Sequence, residues 1–314
     1  MHCTATRISG NLAPNKEVTI RNRVLFRLRW VLVIGLMVAA RTAGAAELST
    51  EAAQGFDQYV HLTERRMQGE LAPDAVFLWI DGLPEPRRSE AYARLLRGEV
   101  ISARLQTSNT PGHPATPGAL IHHWVGTIFL PGASLRQALA LVQDYDHHSE
   151  YYKPEVEKSK TIDRAGDDFK VYYRLVQKKI ITVVLDTEFS VRYHQLDAAR
   201  AFSDSNSIRI AEVAHAGDAN EQSMPPGKDD GFLWRLNSYW RFSEKDHGVY
   251  IQCEAVSLTR EIPAGLNWLI APFIESIPKE SLEFTLQATR KALLRGALHA
   301  GNSAQQIATK GDRL

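Results

Sequence analysis

From residue 119 to residue 260 the chain alternates apolar and polar positions in long runs, the period of strands that bury one face. The runs fall at 119–130, 156–163, 169–177, 180–194, 200–213, 232–243 and 248–260. "DRAGDD" and "EKDHG" are short enough to join consecutive runs as hairpins. The pattern switches to helical spacing in four places. Ala52, Phe56, Tyr59, Val60, Thr63 and Met67 recur at that spacing, which predicts a helix over 47–71. A second helix runs from Pro86 to a stop at Gly98, between predicted strands 75–80 and 99–107. Ser134 and Gln137 form a capping box that opens a helix over 135–144, followed by a short helix over 147–152 that stops before Pro154. Leu282, Leu286, Thr289 and Leu293 line one face of a long helix starting near Pro278.

Between these elements, 108–118 is rich in Pro and Gly and reads either as a domain boundary or as a turn between neighbouring strands. Loop 214–231 is long and polar, and 297–314 is a polar tail. The predicted organisation is a leader over 1–46, a helix and strand extension with linker over 47–118, and a main domain over 119–296. Consecutive hairpin-linked strands make an antiparallel sheet, and the final helix must cover its concave face.

The stretch "GTIFLPGASLRQALALVQDYDHHSEYYKPEVEKSKTI" (126–162), together with "SLEFTLQATRKAL" (281–293), resembles the START-like helix-grip superfamily. That superfamily includes polyketide cyclases, coenzyme Q-binding START proteins and birch-pollen-allergen-like proteins. The likeness covers 119–295 and implies an α+β fold, a curved antiparallel sheet wrapped around a long C-terminal helix. It also implies a hydrophobic ligand held between the two.

Strand parity then nominates the inward residues. In "FLWRLNSYWRF" the even positions Trp234, Leu236, Ser238 and Trp240 point inward, with Phe232 and Phe242. On the partner strand Ile251, Cys253, Ala255 and Ser257 point inward, which leaves Gln252 and Glu254 facing solvent. Tyr173 and Leu175 are inward on one strand, Val183, Leu185 and Phe189 on another, and Leu286 lies on the helix. The inward set at 249–257 is small, so it either lines a cavity or is filled by Trp234 and Trp240. Tyr151, Tyr152, Trp268 and Phe273 are candidates for the mouth, and "GLNWLIAPFI" (265–274), apolar around its circumference, is a wedge in the core or a membrane-docking lip.

Charge adds a compartment. Arg21, Arg23, Arg27 and Arg29 precede "WVLVIGLMVAA" (30–40) and then "TAGAA", the order of an export signal, with cleavage most simply after Ala46. Arg41 departs from that pattern and leaves a retained anchor as the alternative. The apolar run is shorter than the ~20 residues needed to span a bilayer. Without residues 1–46 the chain is net acidic and has no basic cluster, so nothing favours nucleic acid. Cys253 is then the only cysteine, and no internal disulfide can form.

No Ser-hydrolase, P-loop, dinucleotide, zincin or CxxC motif is present, and no cofactor is implied. His122 and His123 point to opposite strand faces and cannot share a metal ion easily. Asp144 and His148 share a helix face, but two ligands are too few. Asp186 and Glu188 are expected outward, paired across strands with Arg192 or Arg209, and Lys178–Lys179 is a solvated hairpin tip. Cys253, without a base in view, is packing rather than a nucleophile. The reading is an exported protein that binds or carries a lipid, quinone or polyketide-like molecule, with possible contact to a membrane surface. The alternatives are a cyclase-like enzyme using the hydroxyls of Tyr173, Ser238 or Ser257, and a protein-interaction module with a solid core.

Overall fold

The structure is a computed structural model that describes residues 46–72, 75–105, 114–179, 181–262 and 276–295. The leader 1–45, the apolar stretch 265–274 and the tail from 296 lie outside these residues, so the leader, Trp268 and Phe273 are not placed.

The extension begins with α1 (Thr50–Glu70), capped by Ser49, whose hydroxyl accepts from Ala52 N at 3.0 Å. The apolar run at 75–80 is not a strand. It leads into a 3-10 turn (Trp79–Gly82), and Phe77, Leu78 and Ile80 pack as a plug beside α2 (Arg87–Leu96). A short run of apolar residues cannot be told from a buried loop by its period alone, and here the run is buried by packing on α2 and on the strand Ala119–Pro131. Strand β1 (Ile101–Arg104) is shorter than expected.

The main domain follows with β2 (Ala119–Pro131), α3 (Leu135–Val142), a 3-10 turn (Tyr145–His147) and α4 (His148–Tyr151). Both bonds of the Ser134–Gln137 capping box are present. Then come β3 (Val156–Ala165), β4 (Asp168–Lys178), β5 (Thr182–Gln195), β6 (Arg200–Ala214), β7 (Arg235–Lys245) and β8 (Gly248–Arg260). Their order in the sheet is β1–β2–β8–β7–β6–β5–β4–β3, antiparallel throughout. Because β1 pairs with β2, the 108–118 segment joins two neighbours in one sheet. The β7–β8 turn is built by Asp246 and His247, both at positive φ, rather than by the adjacent Gly248.

Residues 276–295 form the closing helix, α5, and it is gripped at both edges of the sheet. On one side Leu282 and Leu286 press on β2 so closely that a Cβ at Gly126 would lie 2.6 Å from Leu286 Cδ1. On the other side Phe284 and Ala288 pack with Tyr152, Val156, Tyr173 and Leu175. Gln177 Nε2 donates to Ser281 at 2.7 Å and the Tyr152 hydroxyl bonds Thr289 at 3.0 Å. This is the helix-grip α+β fold.

Over β2, β7 and β8 the convex face is covered. α1 lays Phe56, Tyr59 and Met67 on Ile121, Tyr239, Val256 and Leu258. The approach is close at Gly55, where a Cβ would fall 2.2 Å from the Ala115 carbonyl oxygen. Gln252 and Glu254, expected in water, are therefore buried, at 1% and 2% exposure. Trp234 is corrected too. It precedes β7, so strand parity does not govern it, and it joins the convex cluster with its Nε1 donating to Asp229 at 2.9 Å. Phe232, also expected inward, is exposed.

Candidate functional site

The concave face has two unlike halves. One is dry: Ile128, Leu130, Phe242, Val249, Ile251 and Cys253 lie under Leu282, Leu286 and Leu293. Burial pushes the Cys253 thiol well above its ordinary pKa, so it stays protonated packing. The other half lies toward the end where β2 starts and β8 finishes. There the cross-strand register lines up Ser205, Ser238, Ala255 and Trp124, with Ser203, Trp240 and Cys253 one step further in and Leu236, Ser257 and His122 one step further out. Leu236, Ser238, Trp240 and Ala255 are half-buried. Small side chains fill the centre of the sheet, while α5 is held at its margins. This half of the concave face therefore carries hydroxyls and small side chains together with Trp124 and Trp240.

The other predicted lining residues surround it. Tyr173, Leu185 and Phe189 are inward, as is Leu175, which packs against the α5 side. Val183 is half-buried near the start of β5. Ser203, Ser205 and Trp124 belong with this set although sequence reasoning passed over them. The available signal was "AFSDSNS", where every second residue from Ala201 to Ser207 is small.

The turn after α3 forms an aromatic joint. The Tyr145 and Tyr193 hydroxyls meet at 2.7 Å, and Tyr193 donates to the Val142 carbonyl at 3.1 Å. His148 turns inward to the Tyr173 hydroxyl at 2.7 Å and the Leu141 carbonyl at 3.3 Å. Burial pushes the His148 pKa down to about 4, against the pull of the Leu141 carbonyl, so the ring is neutral and its Nε2–H donates. Asp144 does not meet His148. Its oxygens take His147 at 2.7 Å and Tyr151 at 2.6 Å. Tyr152 is buried beneath α5 rather than at a rim, and Tyr151 is half-buried. The joint fixes α4 against sheet and helix. Each of its polar groups is spent on a neighbour.

On the convex face Glu254 receives His123 Nε2–H at 2.6 Å and pairs with Arg66. Tyr59 bonds His123 Nδ1 at 2.8 Å, and Arg241 reaches Glu70 at 2.6 Å. Burial raises the Glu254 pKa, but the His123 bond and the charges of His123, Arg66 and Arg241 outweigh it, and the net shift is downward. Tyr59 is 1% exposed, so this chain is a sealed scaffold for the extension. His122 and His123 do point to opposite faces.

Asp186 pairs with Arg174 at 3.5 Å and Glu188 with Lys170 at 2.8 Å, so their partners come from β4 and not from Arg192 or Arg209. Lys179 contacts Glu280 on α5, tying the hairpin tip to the helix. Glu212, in register with the inward Leu185, accepts from Phe232 N at 2.8 Å and Asp230 N at 3.1 Å. Burial and the neighbouring Asp229 carboxylate push its pKa up to about 7. Among the described residues no group of three or more His, Cys, Asp or Glu is arranged to hold a metal ion.

No protein-family model and no curated protein sequence matches the chain. Solved structures do resemble it. A STAR-related lipid transfer protein from Xanthomonas axonopodis is 14% identical, with a TM-score of 0.39 over 61% of this chain and 98% of the other. The Zhui aromatase/cyclase from Streptomyces sp. R1128 is 10% identical, with a TM-score of 0.38 over 56% and 94%. A protein from Thermus thermophilus is 16% identical, with a TM-score of 0.39 over 55% and 97%. The helix-grip assignment rests on the strand order and the double-edged hold on α5.

Proposed function

We propose that this protein is an exported carrier or binder of a hydrophobic small molecule, held in the trough between the sheet and α5. One observation carries the reading. The helix is fastened to β2 on one side and to β3, β4 and the aromatic joint on the other, while the central strands between carry the small side chains Ser203, Ser205, Ser238, Ala255 and Ser257, an arrangement that supports a ligand space there. Half-buried apolar and aromatic walls with a few hydroxyls suit a mostly apolar ligand. The leader "WVLVIGLMVAA" with its preceding arginines supports export, and the apolar stretch 265–274 supports contact with a membrane surface during loading.

Native mass spectrometry of the purified full chain, followed by organic extraction, tests the carrier reading. A bound apolar molecule is the expected result. A protein that arrives empty and binds nothing across a panel of lipids and quinones overturns it. Liposome co-sedimentation should fall when Trp268→Ser and Phe273→Ser are combined, and equal sedimentation removes the membrane contact.

A further inference from the structure

His122 and Trp124 occupy successive concave positions of β2, in register with Ser257 and Ala255. His122 is 2% exposed, and its Nδ1 has no hydrogen-bond partner. Trp124 Nε1 is also buried and unpartnered. Buried polar atoms are nearly always paired, because an unpaired one forfeits its hydration without return. These two atoms lie two residues apart on the concave face of β2, close enough for one bound group to partner both.

The protons on these groups define that partner. The Thr259 hydroxyl lies 3.4 Å from the Arg260 carbonyl oxygen and 3.0 Å from His122 Nε2, and with its proton on that carbonyl it accepts from His122 Nε2–H. A neutral imidazole protonated on Nε2 presents a lone pair at Nδ1. Burial, with Arg104 acting in the same direction, pushes the His122 pKa down to about 4 and keeps the ring neutral. The indole N–H of Trp124 only donates. Together they offer one acceptor and one donor and no charge. A hydroxyl satisfies both, donating to His122 and accepting from Trp124. A carboxylate has no proton for His122, and an ammonium cannot accept from Trp124. Arg104, in register with Trp124, is exposed and already engaged elsewhere.

We propose that His122 and Trp124 form the head-group subsite of the trough, and that it takes the hydroxyl of an otherwise apolar alcohol. This rests on the carrier reading above and names the ligand's polar end.

Calorimetric titration of the full chain with 1-decanol, its methyl ether, decanoate and decylammonium tests it. The ether keeps the acceptor for Trp124 but has no proton for His122. In the wild type the alcohol should bind roughly tenfold tighter than the ether, about 1.4 kcal/mol, and tighter than either ion. His122→Phe should abolish the alcohol's advantage and leave ether affinity unchanged, which also shows that the variant is folded. Trp124→Phe should weaken alcohol and ether alike, and it carries the test if His122→Phe does not fold. Equal affinity for alcohol and ether in the wild type, or decanoate binding tightest, overturns the subsite while leaving the carrier reading intact. Failure of every probe to bind overturns the carrier reading, and the subsite with it.

Discussion

Two glutamates, both at 5% exposure or less, show how differently the two faces of the sheet are built. Glu254 on the convex face is surrounded by His123, Arg66 and Arg241, and its pKa falls despite burial. Glu212, in register with the concave Leu185, has two backbone donors and a carboxylate neighbour, and its pKa climbs to about 7. The difference lies in what surrounds each carboxylate. The extension brings Arg66 to the convex face, where Glu254 also meets His123. The concave face keeps unpaired polar atoms, small side chains and a carboxyl that prefers its proton. On the convex face the buried carboxylate is paired with cations, and on the concave face it is not. His122 and His123, adjacent in sequence, repeat the contrast within one strand.

Removing Glu254 should break that contrast most severely. Glu254→Ala leaves His123 and Arg66 without their shared acceptor, and urea unfolding should show a loss of about 3 kcal/mol or more. A loss below about 1 kcal/mol would mean that the network does not fasten the extension. Proton linkage sharpens the comparison next, because the two glutamates have opposite signs. Glu212 keeps its proton in the folded state up to about pH 7, whereas an unfolded glutamate releases it near 4.5. Its contribution is therefore complete below about pH 4.5 and lost as pH rises through about 7, by up to ~3 kcal/mol. Glu254, with a lowered folded pKa, contributes above the ordinary glutamate pKa and loses its contribution as acid is added. Unfolding free energies measured from pH 4 to 8 should flatten at the neutral end in Glu212→Gln, and an unchanged slope would rule Glu212 out as its source.

Smaller changes probe single contacts. Tyr59→Phe removes the hydroxyl that bonds His123 at 2.8 Å and should cost about 1 kcal/mol in the same unfolding assay. Ala255→Leu tests the trough directly. Where space exists the added carbons should change stability by less than about 1 kcal/mol and block uptake of an apolar probe. A solid core would instead lose about 1–3 kcal/mol to overpacking.

Much of this was legible in the chain. Strand β8 was read over 248–260 and is found there, because alternation, a hairpin turn and a polar break all mark the same limits. The capping box at Ser134 is a local device, so it transferred intact to the structure. The convex face was not legible. Gln252 and Glu254 look solvated by every local criterion, since charged side chains are seldom buried unless paired. Their partners are remote: Glu254 meets Arg66 across 188 positions and His123 across 131. The available signal was that Tyr239, Tyr250, Val256 and Leu258 make the opposite parity apolar too, as in strands covered on both faces.

The sequence alone determined the elements, their order and the antiparallel sheet with its closing helix, because period, capping and turn chemistry act over a few residues. It also placed the small residues along one face of β8. Only the tertiary structure decided which face was which in energy. Folding α1 onto the sheet paired the charge of Glu254 on one side, while on the other Nδ1 of His122 and Nε1 of Trp124 have no partner. Pairing over more than a hundred residues is set by where surfaces meet, and no local pattern carries that information.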